Sequence, residues 1–162
     1  MIDNQNKNNK TRFSIILSGI PAVICSFFIP KKKGRIIINS HFNTQFSFNS
    51  KYLFQYLLKY NYDVWFVIND DDYRNQLINE YGEHFIETKS FKGKLFALAS
   101  SVWFVSAFEL PVGGLLLKLS RRIIHLTHGS LIKNVGLLEK DVSIVKKIYY
   151  RLFIRTNISY SI

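Results

Sequence analysis

Residues 35–68 read RIIINSHFNTQFSFNSKYLFQYLLKYNYDVWFVI, and this stretch decides the fold. It opens on a short β-branched run, Arg35–Asn39, and closes on a second apolar run, Tyr62–Ile68. Both are short enough for strands and are rich in residues that suit a pleated surface. Between them, Asn49–Tyr60 has helical spacing. Leu53, Tyr56, Leu57 and Tyr60 fall on one apolar face, and either Asn49 or Ser50 is placed to cap the start.

The rhythm continues outward. Further strand-like runs lie at His84–Thr88, Val102–Ser106, Arg122–Thr127 and Asn157–Ile162, with helix-like stretches at Asp71–Tyr81, Lys92–Ala99 and Asp141–Arg155. Strands that are apolar almost throughout, alternating with helices, predict an α/β fold with one parallel, doubly wound sheet covered on both faces. The aromatic stripe of Asn49–Tyr60 is expected in the core, since a nucleic-acid platform needs exposed rings interleaved with basic residues. Asp70, Asp71 and Asp72 are expected to complement the positive end of a helix dipole. Adjacent aspartates diverge around a turn, so no metal site is predicted there, and no residues have zinc spacing.

A chain of 162 residues with 48% hydrophobic content is one domain in size and can bury a core. Its one cysteine, Cys25, lies in an apolar run and reads as a buried, inert thiol. The net charge of +11 is concentrated at the two ends. Residues 1–35 hold Lys7, Lys10, Arg12, Lys31, Lys32, Lys33 and Arg35 against Asp3. Residues 140–162 hold Lys140, Lys146, Lys147, Arg151 and Arg155 against Asp141. That distribution suits an anionic membrane surface and argues against a nucleic-acid partner, which needs charge focused on one folded face.

Residues 1–12 are polar and read as a disordered leader. Residues 13–33 read as a membrane-interface segment with basic flanks, and 34–162 as the folded domain. The apolar run Phe13–Ile29 reaches only about 25 Å as a helix, short of a ~30 Å hydrocarbon core. Gly19 and Pro21 weaken a spanning helix further. Basic residues stand on both sides, and Pro30 with three lysines follows where a cleavage site would lie. The segment is therefore expected as an apolar helix outside the domain's core, in the plane of the interface, with a buried first helix of the globular domain as the alternative, since a run this short also suits a core helix.

The chemistry is expected after the strand Arg122–Thr127. That run ends at His128-Gly129, with Lys133 five residues beyond the histidine. In a parallel sheet, loops at the carboxyl ends of strands point into the ligand crevice. Histidine is suited to proton transfer near neutral pH, glycine allows a sharp turn, and lysine supplies charge beside a phosphate. His125 is expected as a core histidine with its bonds satisfied. His41, after the first strand, is expected to bond to backbone from its loop, with a place facing the same crevice as His128 as the alternative.

The string His128, Gly129, Lys133, Gly136 resembles the His-Gly-x-x-x-Lys-x-x-Gly signature of the CDP-glycerol glycerophosphotransferase family, whose members build teichoic acids and related envelope polymers. The likeness extends over residues 28–162. It includes Ile29-Pro-Lys-Lys-Lys, the helix start Asn49-Ser-Lys-Tyr-Leu-Phe, the strand Val64-Trp-Phe-Val and Ser106. Where many members carry Asp-Asn before that helix, this chain has Phe48-Asn49 and lacks the acidic group.

The resemblance implies a Rossmann-like, acceptor-side domain forming the amino-terminal half of a GT-B-type transferase. A second, donor-binding domain is expected outside residues 1–162, so the chain alone is expected to be incomplete. It also implies transfer of glycerol phosphate from CDP-glycerol to a hydroxyl of an envelope polymer or lipid-linked primer, with release of CMP. His128 would be the general base, and Gly129, Lys133 and Asn49 the substrate- and phosphate-binding residues. No cofactor is expected beyond the donor substrate. The expected setting is the cytoplasmic face of a bacterial membrane. Another GT-B envelope glycosyltransferase using a sugar nucleotide, or a non-catalytic membrane-bound scaffold, are the alternative readings.

Overall fold

The structure, a computed structural model, describes Pro21 and residues 24–106, 109–126 and 144–162. Six strands form one sheet: β1 (Lys32–Asn39), β2 (Val64–Val67), β3 (Phe85–Ile86), β4 (Ser100–Val105), β5 (Arg122–His125) and β6 (Tyr160–Ser161). Every pairing is parallel, and the order is β3-β2-β1-β4-β5-β6. Between the strands lie α1 (Phe48–Lys59), α2 (Asp71–Tyr81) and α3 (Phe91–Leu98). A last helix, α4, begins at Ile144–Ile148 and continues with wider, π-type winding through Tyr149–Ile154 to Arg155–Asn157.

The central strands β1, β2 and β4 are apolar where both of their faces are covered. Successive side chains alternate, so Ile37 and Ile38 enter different cores. On one face, Phe54 and Leu57 of α1 and Leu77 of α2 pack against Ile38, Val64 and Phe66. The rings of Phe46, Phe54 and Phe66 meet edge-on, with centroids 4.9–5.7 Å apart. On the other face, Ala97 and Leu98 of α3 cover Ile37, Trp103, Val105 and Ile123, and Tyr150 and Ile154 of α4 add to that core.

The helix starts differ in how they were foreshadowed. Asp70 caps α2, accepting from the Tyr73 amide at 2.9 Å, and Asp71 pairs with Arg74 at 2.8 Å. These carboxylates serve the helix start, as the sequence suggested. In α1 the cap position falls on Ser47, and Ser50 is buried and donates to the Asn39 carbonyl at 2.8 Å. Ser50, Phe54 and Leu57 face the sheet, which turns Tyr52, Tyr56 and Tyr60 outward. The expected apolar face of Leu53, Tyr56, Leu57 and Tyr60 is therefore corrected in part: Leu57 is buried, but Tyr56 and Tyr60 are exposed.

The end of the apolar amino-terminal segment also departs from expectation. Residues 24–28 are helical, yet Cys25 and Ile29 pack against the α3-side core and Ser26 is buried. What holds this end is Arg121, whose guanidinium lies 4.3 Å above the Trp103 ring and donates to the Ser26 hydroxyl and the Ala97 carbonyl. Burial pushes the Arg121 guanidinium down to about 9. Burial, and then the Arg121 charge, bring Lys31 to about 8. Ile24, Phe27 and Phe28 remain exposed on the other side. Among the described residues, no helix is long and apolar enough to cross a membrane.

Asn157, fully buried in α4, ties this helix to the loop before β5. It accepts from the Leu117 amide at 2.9 Å and donates to the Gly114 carbonyl at 2.7 Å. Asn157→Ala is expected to strand both groups and cost about 2–4 kcal/mol, from an unsatisfied-group penalty of roughly 1–3 kcal/mol each with partial relaxation. A urea-unfolding midpoint unchanged from the parent would contradict this.

Candidate functional site

The sheet order places a break in winding direction between β1 and β4, and such a break opens a crevice at the carboxyl ends of the two strands. Three segments line it here: the turn after β1, the residues after β4, and the start of α1. Asn39 and Ser40 close β1 in full burial, and Ser106 follows β4, also buried. Across the gap, Asn39 Nδ2 donates to the Glu109 carbonyl at 2.8 Å, and Asn43 Nδ2 to the Leu110 carbonyl at 3.0 Å. These bonds lock the two walls together.

His41 stands at the rim of this crevice. It was expected to bond to backbone; instead its Nδ1 lies 3.6 Å from Glu109 Oε2, within ion-pair reach but too long for a hydrogen bond. Two buried acceptor atoms at the site, Asn39 Oδ1 and Glu109 Oε2, have no hydrogen-bond partner among the described residues. Asn39 and Glu109 were barely legible in advance, because their pairing depends on two strands adjacent in space and far apart in the chain. The usable signal was position alone: both follow strand-like runs, where a parallel sheet collects its ligands.

Of the other residues singled out in the sequence, Asn49 and His125 lie among the described residues. Asn49 is exposed on the first turn of α1, at the carboxyl end of β1. β5 ends at His125, and the Leu126 amide extends its pairing by donating to the Val105 carbonyl at 2.8 Å. Leu126 is the last described residue of this stretch. His128, Gly129, Lys133 and Gly136 themselves lie outside the described residues. His125 is half-buried, and its Nδ1 is 3.3 Å from the Ser161 hydroxyl of β6. Among the described residues, no group of three or more His, Cys, Asp or Glu side chains could hold a metal ion.

A parallel sheet in this order, with its polar crevice at the β1–β4 break, defines a Rossmann-like α/β protein. Residues 22–161 match the model of the CDP-glycerol:poly(glycerophosphate) glycerophosphotransferase family, and the chain belongs to that family. It is a transferase domain of the glycerophosphotransferase kind. Among curated proteins, none matches the chain.

Proposed function

We propose that residues 34–162 form the acceptor side of a membrane-associated enzyme that moves glycerol phosphate from CDP-glycerol to a hydroxyl of an envelope polymer or its lipid-linked primer. The observation that carries this reading is the family match over residues 22–161, on a parallel, Rossmann-like sheet. In this scheme His128 takes the proton from the acceptor hydroxyl as its oxygen attacks the β-phosphorus. The bond from that phosphorus to the bridging oxygen breaks, and CMP leaves with the electron pair. Gly129 lets the loop approach the substrate, Lys133 neutralises developing phosphate charge, and Asn49 meets the substrate from the start of α1. A donor-binding domain in a GT-B arrangement holds CDP-glycerol in line for attack.

The reading is tested by joining residues 1–162 to the donor domain of another family member and following CMP release with a lipid-linked acceptor in vesicles. CMP from CDP-glycerol in step with acceptor labelling is the expected result. Turnover of a sugar nucleotide in its place would favour the glycosyltransferase alternative.

The same reading places the protein on the cytoplasmic face of a bacterial membrane. Exposed Ile24, Phe27 and Phe28, followed by Lys31, Lys32 and Lys33, support an interfacial contact of apolar and basic residues together. The chain is expected to sediment with anionic vesicles and to be released in part by salt, and deletion of residues 1–33 should abolish sedimentation. Equal sedimentation without that segment would shift the contact to Lys146, Lys147, Arg151 and Arg155.

A further inference from the structure

We propose that Lys31 and Arg121, with the hydroxyls of Ser26 and Ser120, form a binding site for a phosphate group, carried by free phosphate or by a phospholipid headgroup. The site lies at the amino edge of the sheet, where Lys32 opens β1 and Arg122 opens β5. The crevice described above is at the opposite, carboxyl edge. The phosphate site therefore takes no part in the transfer and stands independently of that reading. Three observations carry it.

The first is buried charge without a counter-charge. Arg121 is 5% exposed. Its contacts among the described residues are the Trp103 ring, the Ala97 carbonyl at 3.3 Å, the Ser26 hydroxyl and the Ser120 hydroxyl at 3.3 Å. Lys31 Nζ donates to the Ser26 and Ile29 carbonyls at 2.6 and 3.1 Å. Among the described residues, no carboxylate pairs with either cation. Buried charges are ordinarily paired, because removing an ion from water is costly. Burial weakens both cations, and Lys31 is further weakened by the Arg121 charge beside it. The pair repels, and an anion relieves it.

The second is unspent donors. The N–H groups of guanidinium and ammonium can only donate. Arg121 Nε is buried and has no partner among the described residues. The Lys31 ammonium meets two acceptors and keeps a further N–H to give. Ser26 Oγ and Ser120 Oγ stand 2.7 Å apart in the same cluster. Phosphate brings the acceptor oxygens and the negative charge that this cluster lacks.

The third is access. Lys31 and Ser120 are half-buried, so the cluster reaches solvent on one side. Lys32, Lys33 and Arg122 stand exposed at the same edge, and Asp63 is already held by Lys32 and Arg35. That distribution draws anions to the edge. Ile24, Phe27 and Phe28 are exposed on the helical turn that carries Ser26. They set apolar side chains beside the phosphate position, where the acyl chains of a lipid begin.

The test is an NMR titration of the isotope-labelled full chain. It reads the Arg121 Nε–H signal and the Trp103 indole signal, whose ring lies 4.3 Å below the guanidinium. The probes are sodium phosphate, sodium chloride at equal ionic strength, dihexanoyl phosphatidic acid and dihexanoyl phosphatidylcholine, the lipids below their micelle concentrations. Sodium phosphate and phosphatidic acid should each shift both signals saturably, and chloride should not. Tighter binding of phosphatidic acid than of inorganic phosphate, with phosphatidylcholine silent, assigns the site to a lipid headgroup. Equal or weaker binding assigns it to free phosphate. Lys31→Gln should weaken binding at least about tenfold, as expected when a hydrogen bond between charged groups is lost. Lys31→Arg keeps the charge and should hold affinity within about threefold. Lys59→Gln removes equal charge from α1, on the other face of the sheet, and should change affinity less than about twofold. The ligand-free Trp103 signal reports that each variant is folded. Silence with both sodium phosphate and phosphatidic acid would overturn the proposal. So would an equal response to chloride, shifts from both lipids alike with none from sodium phosphate, or equal losses in Lys31→Gln and Lys59→Gln.

Discussion

Trp103→Ala is expected to destabilise the domain by about 3–5 kcal/mol, the range for removing a large buried aromatic side chain. Trp103 is fully buried at the centre of β4, in register with Ile37 of β1 and Ile123 of β5. Its indole nitrogen donates to the Ser100 hydroxyl at 2.6 Å and the Ala97 carbonyl at 3.1 Å, binding the strand to the end of α3. Its face supports the buried Arg121 guanidinium, and through it the docked end of the amino-terminal segment. Removing the ring leaves a cavity and a buried cation without its aromatic partner. For a domain whose whole stability is of order 5–15 kcal/mol, that is a large share. The melting temperature should fall by roughly 6–20 °C. Trp103→Phe keeps most of the packing and should cost clearly less. A calorimetric Tm for the alanine variant within about 2 °C of the parent would mean that β4 is not the hub of the sheet.

Much of this fold was legible because a parallel sheet is a repetitive object. The central strands are covered on both faces, so Ile36–Ile38, Val64–Val67 and Val102–Val105 stand out as apolar runs whatever their neighbours are. All six strand-like runs became strands of one parallel sheet, and the ends moved by a few residues where pairing stopped. Facing was harder to read. In α1, shifting the buried face by about one position exchanges Phe54 for Tyr56 as the core residue. The sequence, with aromatics at 52, 54, 56 and 60, does not distinguish the two. The docking of Cys25, Ser26 and Ile29 was hidden for another reason: it depends on Arg121, almost a hundred residues away. The candidate site divides in the same manner. His128, Gly129 and Lys133 form a local string and could be read as one. Asn39, His41 and Glu109 come together only when β1 and β4 are adjacent.

The sharpest trial of the account compares two histidines three positions apart, in the protein that joins residues 1–162 to a family donor domain. His128→Ala should lower kcat for transfer from CDP-glycerol by at least about 10²-fold, the lower end for loss of a general base. The reason is chemical: a neutral hydroxyl is a poor nucleophile until a positioned group removes its proton, and alanine cannot. His125→Ala lies on β5, where the ring meets Ser161. It should lower stability while sparing turnover per folded molecule. The measurement is single-turnover transfer of labelled glycerol phosphate, scaled to the folded fraction of each variant. The account predicts a collapse for His128→Ala and a rate within about threefold of the parent for His125→Ala. Equal, undiminished rates in both would show that His128 is only a loop residue and would contradict the catalytic assignment.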